Sequence, residues 1–339
     1  MLARIDNPCR GPIFVYALRA LTESAARAAA AWIGRGDRGR SGDAATRAMI
    51  DELSRLPIRG RVVVGEGLMG GDPAAATGGM GTGLGTGLGT GTSYGDASAP
   101  LCYDLAVDPV EGTSYLARGM TNAMAVIALT TEGAMFDPGP AFYMEKFVAP
   151  PVARGRIDPQ APVETKLKTL AHLLDKAVAD LTVFVLEKPR HRELVERIHA
   201  AGARVALYPA GDVAGALMAA LPDPSIDALM GTGGTREGLI SACAVKALGG
   251  EFLARIDPQL ATEKAAVQAA GIDVRDWHGI DDLVRGDEIY FAATGITTGL
   301  LFEGVQRVGG EELTQSLLIA GPGRHRQLLT SYHAVATDA

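Results

Sequence analysis

Apolar residues recur at helical spacing over residues 17–33 and stop at a glycine-rich polar segment, 34–37. One face of this predicted helix carries six apolar positions: Leu18, Leu21, Ala25, Ala28, Ala29 and Trp32. This spacing is typical of a helix packed on a hydrophobic core. A second helix is predicted over residues 44–56, and Asp43 could be its N-cap.

Short apolar runs bounded by glycine or proline predict buried strands, and two of them end at carboxylates. Residues 61–64 are rich in valine and lead to Glu66, which stands between two glycines. Residues 104–107 lead to Asp108 and Glu111, which are separated by proline and valine. Further strands are predicted over 124–129 and over 142–148, with Tyr143 and Lys146 near the exposed end of the latter.

Predicted helices and strands alternate after residue 164. The helices are expected at 164–179, 192–201, 213–220 and 237–248, and the strands at 182–186, 205–208, 227–230 and 289–293. Such alternation is typical of an α/β fold with a largely parallel sheet, whose ligands collect at the carboxyl ends of the strands. Those ends hold segments 188–191, 211–212 and 231–237. We expect His191, at one of them, to be exposed to solvent.

Two segments interrupt the pattern. Residues 149–164 contain four prolines and few apolar residues, which predicts a linker between an N-terminal half, 1–150, and a C-terminal half, 165–339. Residues 77–95 are mostly glycine alternating with threonine or leucine, and we interpret them as a flexible loop. A dinucleotide-binding loop, and with it an oxidoreductase, is disfavoured because the repeats neither follow a strand nor open a helix.

Composition narrows the possible functions. The 339 residues exceed the usual size of one core, and the formal charge of −7 argues against a broad nucleic-acid surface. Cys9, Cys102 and Cys243 are widely spaced, so they are expected to be reduced. No run of 18 apolar residues occurs and the first residues do not resemble a signal peptide, so we expect a cytoplasmic protein without membrane spans.

The ends of the predicted strands and helices together supply five carboxylates and three groups that could bind an anion. The carboxylates are Asp43, Glu66, Asp108, Glu111 and Glu237, and the anion-binding groups are Tyr143, Lys188 and Arg190. Oxygen ligands of this kind suit magnesium or manganese, which can neutralise phosphate charge and lower the pKa of a bound water. The set therefore favours metal-assisted hydrolysis of a phosphate ester.

More ordinary interpretations stay open for single residues. Asp43 could only cap a helix, and Asp108 and Glu111 could lie in a solvated turn. Thr113 could orient an attacking water or bond its own backbone.

Eight ordered motifs resemble class II fructose-1,6-bisphosphatases, the GlpX family, over almost the whole chain. They are Thr22-Glu23-Ser24-Ala25-Ala26, Gly34-Arg35-Gly36-Asp37, Val64-Gly65-Glu66-Gly67, Ala106-Val107-Asp108-Pro109-Val110-Glu111-Gly112-Thr113, Tyr143-Met144-Glu145-Lys146, Lys188-Pro189-Arg190-His191, Gly233-Gly234-Thr235-Arg236-Glu237-Gly238 and Ala293-Thr294-Gly295-Ile296-Thr297. The resemblance implies the lithium-sensitive sugar-phosphatase fold, an α-β-α-β-α sandwich of two α/β halves.

The resemblance also implies a site. Metal ligands would be Asp43, Glu66, Asp108, Glu111 and Glu237, binding Mg²⁺ or Mn²⁺. Thr113 would position the nucleophilic water. Substrate contacts would come from Glu111, Gly112, Thr113, Tyr143, Lys188, Pro189, Arg190, Gly211, Asp212 and Gly234.

The chain departs from the family pattern around this site. The acidic pair that usually follows Gly-Glu-Gly is Gly70 and Gly71 here, and Asp72 could replace it only if the loop re-registers. An Asp-Gly-Asp sugar contact is Ala210-Gly211-Asp212. The glycine-threonine stretch stands where the family has a shorter segment, and Asp43 follows Asp37 by one residue more than usual.

The expected function is hydrolysis of the 1-phosphate of fructose 1,6-bisphosphate, a step of gluconeogenesis and carbohydrate metabolism. Sedoheptulose 1,7-bisphosphate is a second candidate substrate. The alternatives are a phosphatase of another sugar or inositol phosphate and a weakened homologue that binds sugar phosphate or metal. The family suggests a homodimer or homotetramer.

Overall fold

The computed structural model describes residues 12–65, 88–95, 99, 102–221, 225–321 and 323–335. Their helices are α1 Pro12–Ala30, α2 Arg38–Leu53, α3 Thr113–Ala117, α4 Val163–Leu174, α5 Arg192–Ala200, α6 Asp212–Ala220, α7 Thr235–Leu248, α8 Ala261–Ala269 and α9 Ile280–Leu283. Their strands are β1 Arg59–Val64, β2 Ser93–Gly95, β3 Cys102–Glu111, β4 Met124–Thr131, β5 Tyr143–Ala149, β6 Thr182–Leu186, β7 Arg204–Tyr208, β8 Ala228–Gly234, β9 Glu251–Ile256, β10 Ile289–Gly295, β11 Gln306–Val308, β12 Glu311–Ala320 and β13 His325–Ala334. The predicted α/β class is confirmed.

The chain forms two compact units, each with its own sheet. The first comprises residues 1–133 and 288–339, and the second comprises residues 134–287. The division differs from the predicted halves because β10 pairs with β4, which returns the C-terminal segment to the first sheet. The proline-rich segment 149–164 accordingly lies inside the second unit, where residues 151–153 form a 3-10 turn.

The sheet of the first unit has the order β11-β12-β10-β4-β3-β1-β2, with β13 paired to β12. β1 and β3 are parallel, whereas the pairs β3–β4, β4–β10 and β10–β12 are antiparallel. β3, β4 and β10 are almost entirely buried, as expected for strands at the centre of a sheet. α1 packs against β10 and β12, and Phe14 contacts the rings of Tyr103 and Tyr290.

The sheet of the second unit has the order β7-β6-β8-β5-β9. β6 is parallel to both β7 and β8, but β5 is antiparallel to β8 and β9. The prediction of a largely parallel sheet is therefore correct only for the three strands β7, β6 and β8 of this sheet. β8 and β9 are joined by α7 and run in the same direction, and β5 from earlier in the chain lies between them.

Two local predictions need correction. α2 begins at Arg38 and its N-cap is Asp37, which accepts a hydrogen bond from the backbone N–H of Arg40 at 2.9 Å, so Asp43 lies inside the helix. Residues 93–95 of the predicted flexible loop form β2, which pairs with β1. Gly95 has φ +88° and an added Cβ would lie 1.9 Å from the carbonyl oxygen of Ile58, so only glycine fits this strand end.

None of the helices in the described ranges is long and apolar enough to cross a membrane. Cys102 and Cys243 are not joined in a disulfide in the described part of the chain, and Cys9 lies outside it.

Candidate active site

Asp108 and Glu111 stand at the end of β3 and are buried, with 1% and 3% of their surfaces exposed. Asp108 is opposite Val126 and Glu111 is opposite Met124. The two positions are three residues apart on β3 but only two residues apart on β4, so β3 contains a β-bulge here. Because directly opposed residues share a face of a sheet, this bulge turns both carboxylates to the same face. Pro109 has no N–H for the ladder, which agrees with its place in the bulge. The solvated-turn interpretation is therefore wrong.

Gly112 makes the turn that places Thr113 next to these carboxylates. Its φ is +84°, and an added Cβ would lie 3.0 Å from the ring of Tyr115. Thr113 is the first residue of α3 and is half-buried. The chain thus passes from Glu111 to Thr113 within one left-handed turn.

Asp43 is presented by α2, which packs against β3 and α3 in the same unit. Its side chain is 19% exposed and lies 3.6 Å from Arg47, one helical turn further on. Its role as a helix cap is excluded by Asp37, so Asp43 remains a candidate ligand on the helix beside β3.

The segment after β1 lies outside the described residues. It contains the predicted ligand Glu66, the predicted replacement acid Asp72, and Gly70 and Gly71.

Lys146 and Asp212 form a buried ion pair in the second unit. Their side chains are 3% and 8% exposed, and Lys146 Nζ donates to Asp212 Oδ2 and, at 3.0 Å, to the carbonyl oxygen of Gly234. An added Cβ on Gly233 would lie 2.3 Å from Asp212 Oδ2, so this glycine makes room for the pair. The prediction that Lys146 lies near an exposed strand end is wrong, because Lys146 is in the middle of β5, which pairs with β8 on one side and β9 on the other.

Glu237 lies in the first turn of α7, where the helix dipole favours negative charge. Arg236 Nη2 contacts its Oε1 at 3.1 Å. Burial acts to raise the pKa of Glu237, but the charges of Arg236 and Lys146 outweigh it and hold the pKa below its ordinary value. Glu237 is thus kept ionised, as a metal ligand must be.

Arg190 is held by two contacts before any ligand binds. Its Nε and Nη2 donate to the carbonyl oxygen of Thr232 at 3.0 and 2.8 Å. Its guanidinium carbon lies 5.1 Å from the centre of the Tyr143 ring, within the range of cation–π attraction. A guanidinium group carries five N–H donors. The contacts with Thr232 and Tyr143 use only some of them and fix the orientation of the others, which can bind a ligand.

His191 is buried and bonded through both ring nitrogens, which corrects the prediction that it is exposed. Nδ1 donates to the carbonyl oxygen of Leu186 at 2.7 Å, and Nε2 accepts from the backbone N–H of Thr232 at 2.8 Å. Burial lowers the pKa of His191, and this bonding requires the neutral ring. Thr232 also donates its hydroxyl to Asp257 at 2.5 Å, so one residue fixes both His191 and Arg190.

The other predicted substrate contacts lie on two turns of the second unit. Lys188 is half-buried and precedes the 3-10 turn Pro189–His191. Gly211 has φ +93° and is the N-cap of α6, which begins with Asp212.

Sequence reasoning missed His191, Thr232 and Asp257, and misplaced Lys146. Lys146 did carry a signal, because it lies among the apolar residues of a strand. The contacts of His191 and Thr232 join residues 41 positions apart, and no local pattern indicates them.

The donors fit a divalent metal by their chemistry. Asp108 and Glu111 are hard oxygen ligands that share a face of one strand end, where buried negative charge needs compensation by a cation or by N–H donors. Within the described ranges, no three Asp, Glu, His or Cys side chains form a group that could hold an ion. The five-ligand set stays a prediction, with Asp43, Asp108 and Glu111 in the first unit and Glu237 in the second.

Comparison with known proteins agrees with the motifs. Residues 14–333 match the family model described as bacterial fructose-1,6-bisphosphatase, glpX-encoded. The chain is 38% identical over 326 residues to fructose-1,6-bisphosphatase class 2 of Haemophilus influenzae, covering 92% of this chain and 93% of that protein.

Two cyanobacterial relatives have a broader printed name, D-fructose 1,6-bisphosphatase class 2/sedoheptulose 1,7-bisphosphatase. They come from a Synechococcus species and from Microcystis aeruginosa, and each is 36% identical to this chain. Each match covers 92% of this chain. It covers 93% of the Synechococcus protein and 94% of the Microcystis protein. The chain belongs to the family of bacterial, glpX-encoded fructose-1,6-bisphosphatases.

Proposed function

We propose that this protein hydrolyses the 1-phosphate of fructose 1,6-bisphosphate, releasing fructose 6-phosphate and inorganic phosphate. Membership of the family supports the reaction and its substrate class. The observation that carries the proposal on the structural side is the buried pair Asp108 and Glu111 on one face of the β3 end, followed by Thr113. The names of the two cyanobacterial relatives support sedoheptulose 1,7-bisphosphate as a further substrate.

The divalent ions would be held by five carboxylates, those of Asp43, Glu66, Asp108, Glu111 and Glu237. Mg²⁺ or Mn²⁺ bound there would neutralise phosphate charge and lower the pKa of a water ligand. We propose either ion because both prefer oxygen donors.

The other residues bind and orient. Arg190, fixed by Thr232 and Tyr143, offers its remaining N–H donors to a phosphate, and Lys188 adds a point charge. Asp212, fixed by Lys146, offers its second oxygen to a sugar hydroxyl. Water attacks phosphorus and gives up a proton, the bond from phosphorus to the sugar oxygen breaks, and that oxygen takes up a proton. Thr113 orients the attacking water through its hydroxyl.

The protein would work as a homodimer or homotetramer in the cytoplasm. The family supports a homo-oligomer, and the lack of a disulfide between Cys102 and Cys243 agrees with the cytoplasm.

Phosphate release from a panel of phosphorylated sugars tests the reaction. With Mg²⁺ or Mn²⁺, fructose 1,6-bisphosphate should give one equivalent of phosphate and fructose 6-phosphate, and a chelator should abolish release. Release from none of the sugars, with metal present, would contradict the proposal.

A weakened homologue that only binds is a second candidate, because Gly70, Gly71 and Ala210 replace family acids. Saturable binding of substrate and metal without any turnover would favour it.

A further inference from the structure

An open cleft of about 720 Å³ lies within the second unit, between the start of α4, the strands β5 and β9 and residues 273–277. Pro162, Val163 and Trp277 form its apolar side. Of the described residues proposed to bind substrate or metal, none lines it. Its volume is in the range of small-molecule sites.

The arginines of the cleft are each anchored by a carboxylate. Arg197 makes two bonds to Glu164, both of 2.9 Å, and Arg255 Nη2 lies 2.6 Å from Glu145. Arg275 Nη2 lies 2.7 Å from Asp273. These pairs fix the guanidinium groups while leaving further N–H donors on each of them.

Lys166 differs from these arginines. It lines the cleft, is only 7% exposed, and pairs with no carboxylate among the described residues. Its Nζ lies 4.5 Å from the centre of the Trp277 ring and 5.9 Å from that of Phe147. Burial lowers the pKa of Lys166, Glu145 acts against this effect, and Arg255 adds to it.

A buried ammonium group without an anionic partner is costly, and an anion entering the cleft would remove that cost. Lysine binds phosphate as a point charge, and guanidinium groups bind it through directed N–H donors. Both kinds of donor line the cleft, and the centre of the Trp277 ring lies 4.5 Å from the ammonium of Lys166 and 5.1 Å from the guanidinium of Arg255.

We propose that this cleft binds the phosphate group of a small soluble molecule, with Lys166 as the central ligand and Arg197 and Arg255 beside it. The site is separate from the proposed reaction and does not depend on it. Inorganic phosphate and methyl phosphate are suitable probes, because they distinguish free phosphate from a phosphate monoester.

Trp277 can report binding directly. Because Trp32 is the only other tryptophan in the sequence, Trp32→Phe leaves Trp277 as the sole indole. Titration with either probe, without metal and at constant ionic strength, should change its fluorescence to saturation. Lys166→Met should weaken this binding at least about tenfold, the loss expected for one charge-assisted contact. Lys168→Met, on the exposed side of the same helix, should leave it unchanged.

A second measurement needs no variant at Lys166. Acetic anhydride labels lysine amines, and phosphate should slow the labelling of Lys166, but not of Lys168, in the unaltered protein. A fluorescence titration that does not saturate, or equal labelling of Lys166 with and without phosphate, would overturn the proposal. Neither readout involves turnover, so failure of the hydrolysis proposal would leave this one standing.

Discussion

At the scale of single residues, the proposed site depends on polar side chains that are held by partners far away in the sequence. Lys146 reaches Asp212, 66 positions later, and Thr232 receives Arg190, 42 positions earlier. Sequence motifs predicted Asp108, Glu111 and Arg190 as site residues. They could not predict the partners of Lys146 and His191, because those partners belong to other elements of the chain.

Replacing Lys146 by methionine should lower the free energy of unfolding by about 3–5 kcal/mol, because it leaves Asp212 buried without its cation. Urea unfolding followed by circular dichroism measures the change. The double variant Lys146→Met/Asp212→Leu should recover most of the stability, since both charges are gone, but not the phosphatase activity. Equal instability of the single and double variants would contradict this account of the pair.

Arg190→Lys should raise KM for fructose 1,6-bisphosphate at least about tenfold and change kcat less, because lysine cannot keep both the Thr232 contact and a directed phosphate contact. Steady-state kinetics separate the two constants. Arg192→Lys is the matched control, since Arg192 is exposed two positions later. An unchanged KM for Arg190→Lys would remove Arg190 from the substrate site.

At the scale of secondary structure elements, local patterns predicted where helices and central strands lie, and less well where they end. α2 begins earlier than predicted because Asp37, not Asp43, caps it. β2 was missed because it is only three residues long and follows a run of alternating glycine and threonine, and because its pairing with β1 is a tertiary contact. The turn after β6 was predicted as a ligand-binding end, but its attachment to β8 through His191 was not.

The hydrogen bonds of His191, which attach the turn after β6 to β8, should make the stability of the protein depend on pH. The pKa of His191 in the folded protein is below its ordinary value, so the neutral ring contributes stability near neutral pH that is lost as the pH falls below about 6.5 toward the folded pKa. Between about pH 7.5 and about pH 5.5, the wild type should lose more unfolding free energy than His191→Gln, by up to about 1.4 kcal/mol, because this range extends only about one pH unit below the ordinary pKa of about 6.5.

Urea unfolding at the two pH values gives the comparison, and glutamine retains a donor and an acceptor at the same place. The control is His199→Gln, on the exposed side of α5, which should follow the wild type. Identical pH dependence in the wild type and His191→Gln would show that His191 is not held neutral.

At the scale of the whole molecule, sheet pairing rather than linker composition divides the chain. The prolines of 149–164 indicated a boundary, but the structure places both chain ends in the first unit and a continuous segment in the second. A fragment of residues 134–287 should therefore unfold cooperatively in urea, because it retains all five strands of its sheet. A fragment of residues 1–150 should not, because it lacks β10, β12 and β13. The opposite result would support the linear division.

The central claim is that Asp108 belongs to the catalytic site of a fructose-1,6-bisphosphatase, and the most direct test compares two aspartates of β3. Asp108→Asn should reduce phosphate release from fructose 1,6-bisphosphate at least about a hundredfold while the protein stays folded. Asp104→Asn, equally buried but paired with Arg61, should keep its activity in proportion to the folded fraction. Release by Asp108→Asn at the rate of Asp104→Asn would contradict the claim.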